Sequence, residues 1–495
     1  MHQSKSFLHR REFFKATAAG AVLGSSSLVF ADDPSQSDSS ATSQPDLVRG
    51  EVVRTDGEFS ADRRSFTEAR REIPVAGRNQ VIVCGGGPAG IAAALAAARA
   101  GADVRLIELA GCLGGIWTAG LLTKILDAEG KSGIMAELLK LFAERGSSVA
   151  QGTRGTVYNP EIAKLVLEEL LVEAGVKILL HTRVVGAVTD KHNRLAAVLT
   201  ENKSGRQAWI ADRFVDCTGD GDLAAQAGCQ FDVGVGSDCT CQPMTMLALL
   251  TGVEPAAVRE YIRESGSAAK RRLLNLMEDS GINPSYRAPT LRHLHSGIYS
   301  IMTNHEYGVS AFDAEEISAA TIRARREIHE IVSGLRKLGG PWKDIALVAT
   351  AEQIGVREGR RIRGRYQITA NDLAAGLRHE QAVCRAKFPI DVHALSTDGN
   401  QAVDHAFAKG GLKPYDIPYP ALVAADVDGL LLAGRCISGD FIAHASYRVT
   451  GNSVPMGEAA GLAAARSIAA GVLPHELTWD EIRTAAADGT TAVPR

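Results

Sequence analysis

The distribution of apolar residues predicts a strand, a helix and a second strand near the start of the folded region. Residues 80–84 form a short apolar run, residues 91–99 are rich in alanine, and residues 104–107 form a second apolar run. Short apolar runs bounded by glycine are typical of buried strands in a parallel sheet. The three segments therefore predict a βαβ unit.

The rest of the chain continues this alternation of strands and helices, with one long interruption. Residues 160–174 have the periodicity of an amphipathic helix, residues 183–198 that of a β-meander, and residues 210–216 that of a buried strand. The segment Asp313–Glu316 has the side chains of a capping box, which predicts that a long helix begins there. An apolar strand pattern returns at residues 430–432, before another glycine turn.

These patterns predict an α/β fold in which a Rossmann-like nucleotide-binding domain is interrupted by an inserted α+β domain. Alternating strands and helices are typical of a doubly wound sheet, and the helical, loop-rich middle of the chain marks the insertion. At 495 residues the chain is long enough for two domains. The predicted segments are an export signal at 1–31, a disordered linker at 32–50, the first part of the nucleotide-binding domain at 51–233, the inserted substrate or cap domain at 234–415, the second part of the nucleotide-binding domain at 416–475, and a C-terminal tail at 476–495.

The turn after the first predicted strand has the spacing of a dinucleotide-binding motif. Gly85, Gly87 and Gly90 follow the pattern G-x-G-x-x-G, and Glu108 comes 18 residues later, at the end of the second strand. The glycines permit a tight turn, a close approach of a pyrophosphate, and close packing of helix and strand. The helix N-terminus attracts phosphates, and the carboxylate is placed to bind a ribose diol. A lone motif also fits an ordinary glycine-rich turn, but the complete strand–turn–helix–strand–acid order favours dinucleotide binding.

Composition and charge narrow the class of partner. The chain is 45% hydrophobic and 22% charged, with a net charge of −3. No basic run outside the N-terminus forms a patch for phosphate backbones, so we expect a small-molecule substrate and no nucleic-acid partner.

The N-terminus has the pattern of an export signal. Arg10 and Arg11, with Phe14 and Lys15, precede an apolar run that ends at Ala31. This arrangement resembles a twin-arginine signal, which implies recognition by the twin-arginine export machinery and an exported, periplasmic protein. The alternative is an uncleaved amphipathic start with a chance pair of arginines. No second apolar run reaches membrane length, so we expect no membrane span in the mature chain.

Eight cysteines are scattered along the chain without a C-x-x-C pair. Neither a zinc ribbon nor an iron–sulfur sequence is therefore present, and we predict no metal ligands. The close pair Cys239 and Cys241 is compatible with metal binding or oxidation, but two idle thiols explain it as well.

Several motifs together resemble FAD-dependent oxidoreductases of the glutathione-reductase-like fold. They are the GGGPAG turn at 85–90, Glu108, the segment Cys217–Asp222 and the segment Ala433–Arg435, in this order. The resemblance implies that the nucleotide-binding domain holds FAD. The implied cofactor-binding residues are Gly85, Gly87, Pro88, Ala89, Gly90, Glu108, Gly114, Gly115, Val185, Gly219, Gly434, Arg435 and Gly457. A helix that begins near Ser453 and Pro455 is expected to aim its N-terminal amides at the flavin.

A narrower resemblance rests on the segments 357–362, 388–391, 415–419 and 435–438. They are similar to the broad family of FAD-dependent oxidoreductases that is grouped with the flavoprotein component of heterodisulfide reductase. Those relatives add iron–sulfur clusters through tight cysteine runs. This chain has no such cysteine runs. An iron–sulfur cluster is therefore implied only by the family resemblance and by no motif of this chain.

Candidate catalytic residues lie between the second FAD motif and the helix that faces the flavin. His444 is a candidate general base, and Arg448 a candidate ligand for a substrate carboxylate or for the flavin. A hydrogen-bonded structural histidine and a buried ion pair are the alternatives. Further candidates in the predicted insertion are Arg357, Arg361, Tyr366, Asp391 and His393. For each of them, an arginine-rich solvated helix end or an interdomain salt bridge is the favoured explanation.

The motifs together predict an exported FAD-dependent oxidoreductase. The chain has one dinucleotide motif, no second one for NAD(P)H and no redox dithiol, so electrons are expected to pass between an organic substrate, FAD and an external carrier. Two other functions remain open at this point. They are an FAD-binding electron-transfer protein that works with an iron–sulfur partner, and a flavin-binding protein without catalytic activity.

Overall fold

The computed structural model describes residues 55–149, 156–396 and 413–487. The predicted signal at 1–31 and the linker at 32–50 lie outside these ranges. The last predicted segment, 476–495, is described as far as residue 487 and contains a helix.

The elements of the described residues are as follows. The strands are β1 Gly57–Phe59, β2 Phe66–Glu68, β3 Val75–Cys84, β4 Val104–Ile107, β5 Lys124–Ile125, β6 Ser148–Val149, β7 Thr156–Tyr158, β8 Lys177–Leu179, β9 Arg183–Thr189, β10 Leu195–Asn202, β11 Gly205–Asp216, β12 Phe231–Asp232, β13 Leu247–Thr251, β14 Thr290–His295, β15 Ile298–Met302, β16 Ala346–Thr350, β17 Arg361–Ile362, β18 Ala382–Ala386, β19 Tyr415–Pro418 and β20 Leu430–Leu432. The α-helices are α1 Pro88–Arg99, α2 Gly133–Glu144, α3 Pro160–Glu173, α4 Asp222–Gln226, α5 Ala269–Asp279, α6 Ala314–Lys337, α7 Ala370–Ala375, α8 Phe441–Tyr447, α9 Thr450–Ala469 and α10 Trp479–Ala487.

The main sheet confirms the predicted Rossmann-like α/β core. Its strands lie in the order β8-β4-β3-β11-β10-β9, and β20 pairs in parallel with the end of β11. Strands β8, β4, β3 and β11 are parallel, whereas β9, β10 and the first half of β11 form the predicted antiparallel meander. The carboxyl ends of β3, β4, β11 and β20 therefore meet at one edge of the sheet, where ligands of such folds bind.

Helices α1 and α9 pack closely against each other beside this sheet. A Cβ atom added at Gly457 would lie 2.0 Å from the carbonyl oxygen of Ala89, and one at Gly461 would lie 2.0 Å from that of Ala93. These two glycines, one turn apart, let the helix backbones approach each other. Gly457, which the resemblance implied as a cofactor residue, thus has a packing role of its own.

A second hydrophobic core lies within the predicted insertion. It is built on the four-stranded antiparallel sheet β14-β15-β13-β16 and on the buried faces of α5 and α6. Most of its side chains come from residues 244–354. Apolar side chains from Ile362 to Val392 pack instead in the first core, although they lie within the predicted insertion 234–415. The exact domain boundaries stay a prediction.

The long predicted helix is present as α6, with one difference at its start. Asp313 caps it by accepting hydrogen bonds from the backbone N–H groups of Glu315 and Glu316, both at 2.9 Å. The Glu316 carboxylate accepts a hydrogen bond from the N–H group of Ser310 and not from that of Asp313. The Glu316 side chain thus binds the loop that precedes the helix and does not complete a capping box.

Helix α9 begins at Thr450, whereas the sequence predicted a start near Ser453 and Pro455. The prediction placed the proline in the first turn, where its missing N–H group costs nothing. In the structure Pro455 lies inside the helix, one turn further on. Among the described helices, none combines the length and the apolar composition that crossing a membrane requires.

Candidate active site

The turn between β3 and α1 has the geometry that binding of a pyrophosphate requires. Gly85 has a φ of +98°, a conformation that L-residues with side chains rarely adopt. A Cβ atom at Gly90 would lie 1.7 Å from the carbonyl oxygen of Gly85. A Cβ atom at Gly87 would meet no protein atom within 4 Å. The first and third glycines are thus required by the fold, whereas the second leaves open space at the N-terminus of α1.

Glu108 lies beside this turn at the carboxyl end of β4. Its carboxylate accepts hydrogen bonds from the backbone N–H groups of Gly86, at 2.5 Å, and Ala110, at 2.7 Å. The side chain is buried, and the burial raises the pKa of its carboxyl group. A carboxylate has about four lone-pair sites, so two remain for the hydroxyl groups of a ribose.

The second glycine loop lies against the first one. The N–H group of Gly114 donates to the carbonyl oxygen of Gly86 at 2.8 Å. Gly114 and Gly115 have φ angles of +107° and +51°, and a Cβ atom at Gly115 would lie 3.0 Å from the Cα atom of Gly87. The loop therefore borders the same open space as the pyrophosphate turn.

The turn after β11 is held by Asp216, a residue that the sequence reasoning missed. Its carboxylate accepts hydrogen bonds from the N–H and hydroxyl groups of Thr218 and from the N–H group of Ala224. Burial raises the pKa of this carboxyl group to about 6. The sequence feature that marks Asp216 is an acidic residue at the end of an apolar strand, directly before a glycine turn. Asp216 thus fixes the turn that follows β11.

Gly219 and Arg435, both predicted cofactor residues, contact each other across two turns. A Cβ atom at Gly219 would lie 2.8 Å from the guanidinium group of Arg435. Arg435 donates from Nη2 to Oδ1 of Asp220 at 2.7 Å, whereas its buried Nε atom has no partner among the described residues. The glycine therefore makes room for the arginine, and Nε remains for a ligand.

Two further predicted positions have backbone features of their own. Gly434 has a φ of +89° and lies where the start of α1 meets the start of α9, with its Cβ position 3.3 Å from Ala89 and 3.8 Å from Ser453. Val185 is skipped in the pairing of β9 with β10, since Thr200 pairs with the residue before it. Its backbone groups lie outside that ladder, as a contact with adenine requires.

The first turn of α9 carries buried polar atoms without partners. Thr450 Oγ1 and both amide atoms of Asn452 have no hydrogen bond among the described residues, and Val449 provides no side-chain cap. Buried polar groups in folded proteins are almost always paired. An aromatic ring system with several hydrogen-bonding atoms, such as the flavin ring, satisfies groups of this kind. Together with the space at Gly87, these atoms fit bound FAD.

His444, on α8, is fully buried, and neither of its ring nitrogens has a partner among the described residues. Burial lowers the pKa of its imidazole well below the ordinary value, and the positive charges of Arg448, Arg361 and Arg435 lower it further. The ring is therefore neutral at physiological pH, with one nitrogen available as a proton acceptor.

Three of the predicted residues, Arg448, Asp391 and His393, lie close together. Arg448 donates from Nη2 to the carbonyl oxygen of Asp391 at 2.8 Å and to Oε1 of Gln242 at 3.3 Å, and it lies 3.5 Å from the Asp391 carboxylate. His393 Nε2 lies 3.3 Å from the same carboxylate. The buried Nε atom of Arg448 has no partner among the described residues. The guanidinium group of Arg448 is thus fixed through Nη2, whereas its Nε–H group remains available to a ligand.

Arg357 is surrounded by groups that the sequence reasoning did not identify. It donates to the carbonyl oxygen of Pro243 at 2.5 Å and to Oγ1 of Thr245 at 2.8 Å, and its Nη2 lies 3.3 Å from His305 Nε2. The ring of Tyr286 packs against that of His305 at an angle of 35°, with ring centres 4.1 Å apart. These side chains come from distant loops and strands, so no local pattern in the sequence indicated their proximity.

The two remaining candidates, Arg361 and Tyr366, have contacts that favour structural roles. Arg361 pairs with Glu358 at 2.6 Å and donates to two backbone carbonyl oxygens. Glu358 in turn accepts a hydrogen bond from the N–H group of Gln242, so this pair supports the residue that holds Arg448. The ring of Tyr366 packs 5.4 Å from that of His379, and no described contact joins it to His444 or Arg448. A catalytic role for Arg361 or Tyr366 therefore gains no support.

No group of three or more histidine, cysteine, aspartate or glutamate side chains in the described part of the chain is arranged to hold a metal ion. The iron–sulfur cluster that the resemblance implied is therefore not supported.

Comparisons with known proteins identify the family. Residues 80–485 match the family of FAD dependent oxidoreductases. No curated protein sequence matches the chain. Similar solved structures include a geranylgeranyl bacteriochlorophyll reductase-like protein from Thermoplasma acidophilum (13% identity, 83% of this chain, 82% of that chain, TM-score 0.42) and the flavin-dependent brominase Bmp2 (12%, 83%, 83%, 0.42). A third is the p-nitrophenol 4-monooxygenase PnpA from Pseudomonas putida DLL-E4 (14%, 59%, 70%, 0.37). Because the family match covers most of the sequence, the chain belongs to the FAD dependent oxidoreductase family and is an FAD-binding enzyme.

Proposed function

We propose that the protein is an exported FAD-dependent oxidoreductase that transfers hydride or electrons between a small organic substrate and FAD. The observation that carries this proposal is a set of buried polar atoms between His444 and Asn452 that have no hydrogen-bond partner in the described part of the chain. This segment follows the glycine turn at Gly434 and includes the first turn of α9. Bound FAD supplies the acceptor or donor of the electrons.

The residues of the chain have separate roles in this proposal. Thr450, Asn452 and the N-terminal amides of α9 bind and polarise the cofactor. Arg448, which is fixed by Asp391, orients a polar or negatively charged group of the substrate. His444 accepts a proton, because its buried imidazole is neutral and has no hydrogen-bond partner among the described residues.

An external electron carrier completes the proposed reaction. One dinucleotide motif, at residues 85–90, is found in the sequence, and FAD binding accounts for it. We therefore propose that NAD(P)H is not bound as a second cofactor.

Reduction of the bound flavin tests this function. The purified holoprotein is titrated without oxygen, first with dithionite and then with small acids, sugars and amines. We expect at least one organic donor to bleach the flavin absorption band. A flavin that dithionite reduces and no organic donor reduces would favour a non-catalytic flavin-binding protein.

Export is predicted to depend on the arginine pair, which lies outside the described residues. Replacing Arg10 and Arg11 together with lysine keeps the charge, so a general secretory route should tolerate the change, whereas a twin-arginine route should not. The expected result is loss of the protein from the periplasmic fraction, measured by immunoblotting against a Lys5→Arg control. Unchanged export of the double variant would remove the case for this pathway.

A further inference from the structure

Three positively charged side chains lie close together next to the proposed substrate position. They are Lys270, Arg357 and Arg448, which we call the cationic cluster. Asp391 is the carboxylate whose charge acts on all three. The cluster therefore has an excess of two positive charges over its shared carboxylate.

Arg357 and Lys270 lack anionic partners among the described residues. The hydrogen-bond partners of Arg357 are the neutral atoms of Pro243, Thr245 and His305, and Lys270 lies 5.7 Å from the centre of the Tyr286 ring. Unpaired cations are costly to remove from water, and such groups normally have a counter-charge. Both residues are partly rather than fully buried by their exposed surface.

A further carboxylate, that of Glu358, acts on Arg448, but it is already paired with Arg361 at 2.6 Å. Burial and neighbouring cations lower the pKa of His305, and that of His393 to about 4, so both rings are neutral at physiological pH. The positive charges of the cluster also repel each other. Burial and the charge of Arg448 lower the pKa of Arg357 to about 10. Burial and nearby arginines lower the pKa of Lys270 to about 8.

The cluster is connected to the proposed flavin side of the site. Arg448 and His393 share the carboxylate of Asp391, and the rings of His393 and His305 are 5.0 Å apart. His305 in turn contacts Arg357. The positive charges therefore extend from the end of α8 to the second hydrophobic core.

We infer that the substrate of this enzyme is a small organic carboxylate, and that Arg357 and Lys270 bind its carboxylate group. The inference rests on the proposed function, because it assigns the substrate class of the same site. A guanidinium group has five N–H donors, and Arg357 uses three of them on protein acceptors. The others supply charge-assisted hydrogen bonds to a carboxylate.

Binding to the oxidised holoprotein tests the inference without turnover. Acetate, lactate and benzoate are titrated by calorimetry, beside the amides of the same acids and inorganic phosphate. We expect at least one carboxylate to bind at least about tenfold more tightly than its amide and than phosphate, because the site pairs a planar guanidinium with an ammonium group. Equal binding of acid and amide, tighter binding of phosphate, or no binding of any carboxylate would overturn it.

Variants assign the binding to the two cations. Arg357→Met and Lys270→Met are each expected to weaken the binding of that carboxylate by about 10-fold to 100-fold, and Arg357→Lys to restore it in part. Arg326→Met and Lys343→Met, at exposed positions, are the matched controls. Flavin content and thermal stability verify folding, and Arg357→Lys provides a second test if Arg357→Met does not fold. Unchanged carboxylate binding in a folded Arg357 variant would refute the assignment.

The two proposals fail in different ways. If carboxylates bind through Arg357 but no organic donor reduces the flavin, the anion site stands and the proposed function fails. If neutral donors reduce the flavin and no carboxylate binds, the proposed function stands and the substrate class is wrong.

Discussion

Replacing Gly87 with valine is expected to give a protein that folds but does not retain FAD. The backbone at this position has φ −73° and ψ −174°, an extended conformation that valine adopts without strain. Apart from Gly87 and its two chain neighbours, no described residue has an atom within 4 Å of the Cβ position, so the new side chain would occupy the space that the pyrophosphate needs. We expect the affinity for FAD to fall at least about 100-fold, equivalent to about 2.8 kcal/mol. Flavin content after purification and circular dichroism of the apoprotein measure the two effects.

Gly90→Val is the control that separates a cofactor effect from a folding effect. Its Cβ atom would lie 1.7 Å from the carbonyl oxygen of Gly85, an atom of the backbone that cannot move without disrupting the turn. We expect a loss of about 3 kcal/mol or more in the free energy of unfolding, with no folded apoprotein to rescue by added FAD. Normal flavin content in Gly87→Val would contradict the assignment of the pyrophosphate site.

Local patterns in the sequence predicted the nucleotide-binding part of the fold because each pattern has a local cause. Apolar runs form the parallel strands, and glycines such as Gly85 and Gly434 stand where φ is positive. The start of α9 did not come from such a local pattern, because the resemblance implied a start near Ser453 and Pro455. The structure starts the helix at Thr450, directly after α8 ends, and accommodates the proline inside it.

The sequence predicted the part of the candidate site that contains His444 and Arg448, but not the part that the inserted region contributes. His444 and Arg448 lie on one short segment between two recognisable motifs, so their position followed from the order of the motifs. Lys270, Tyr286 and His305 come together only through the folding of the inserted part, and nothing local marks them. The pairing of Arg361 with a glutamate three residues earlier is a local pattern that already favoured a structural role.

His444 and Arg448 are expected to affect different steps of flavin reduction. His444→Ala should keep bound FAD and slow reduction about 100-fold, the lower end for loss of a general base, because its lowered pKa makes it a weaker base. Arg448→Ala should instead weaken binding of the donor, and Arg448→Lys should restore it only in part, since an ammonium group lacks the planar fork. Stopped-flow reduction with an active donor measures both. Wild-type rates and donor affinities in both alanine variants would place the catalytic groups in the inserted part, beginning with Arg357.

The pH dependence of the same reaction distinguishes a catalytic His444 from a merely structural one. A histidine whose pKa is lowered stays deprotonated, and therefore active as a base, well below its ordinary titration range. The rate of flavin reduction in the wild-type protein should then show no loss from His444 between about pH 7.5 and 5.5. Burial is the largest cause of the shift and the charge of Arg448 the next, so Arg448→Met should raise the pKa of His444. A loss of rate on acidification should consequently begin at higher pH in Arg448→Met than in the wild type, and it should disappear when His444→Ala is added. An identical pH profile in the presence and absence of Arg448 would contradict an effect of the Arg448 charge on a proton transfer by His444.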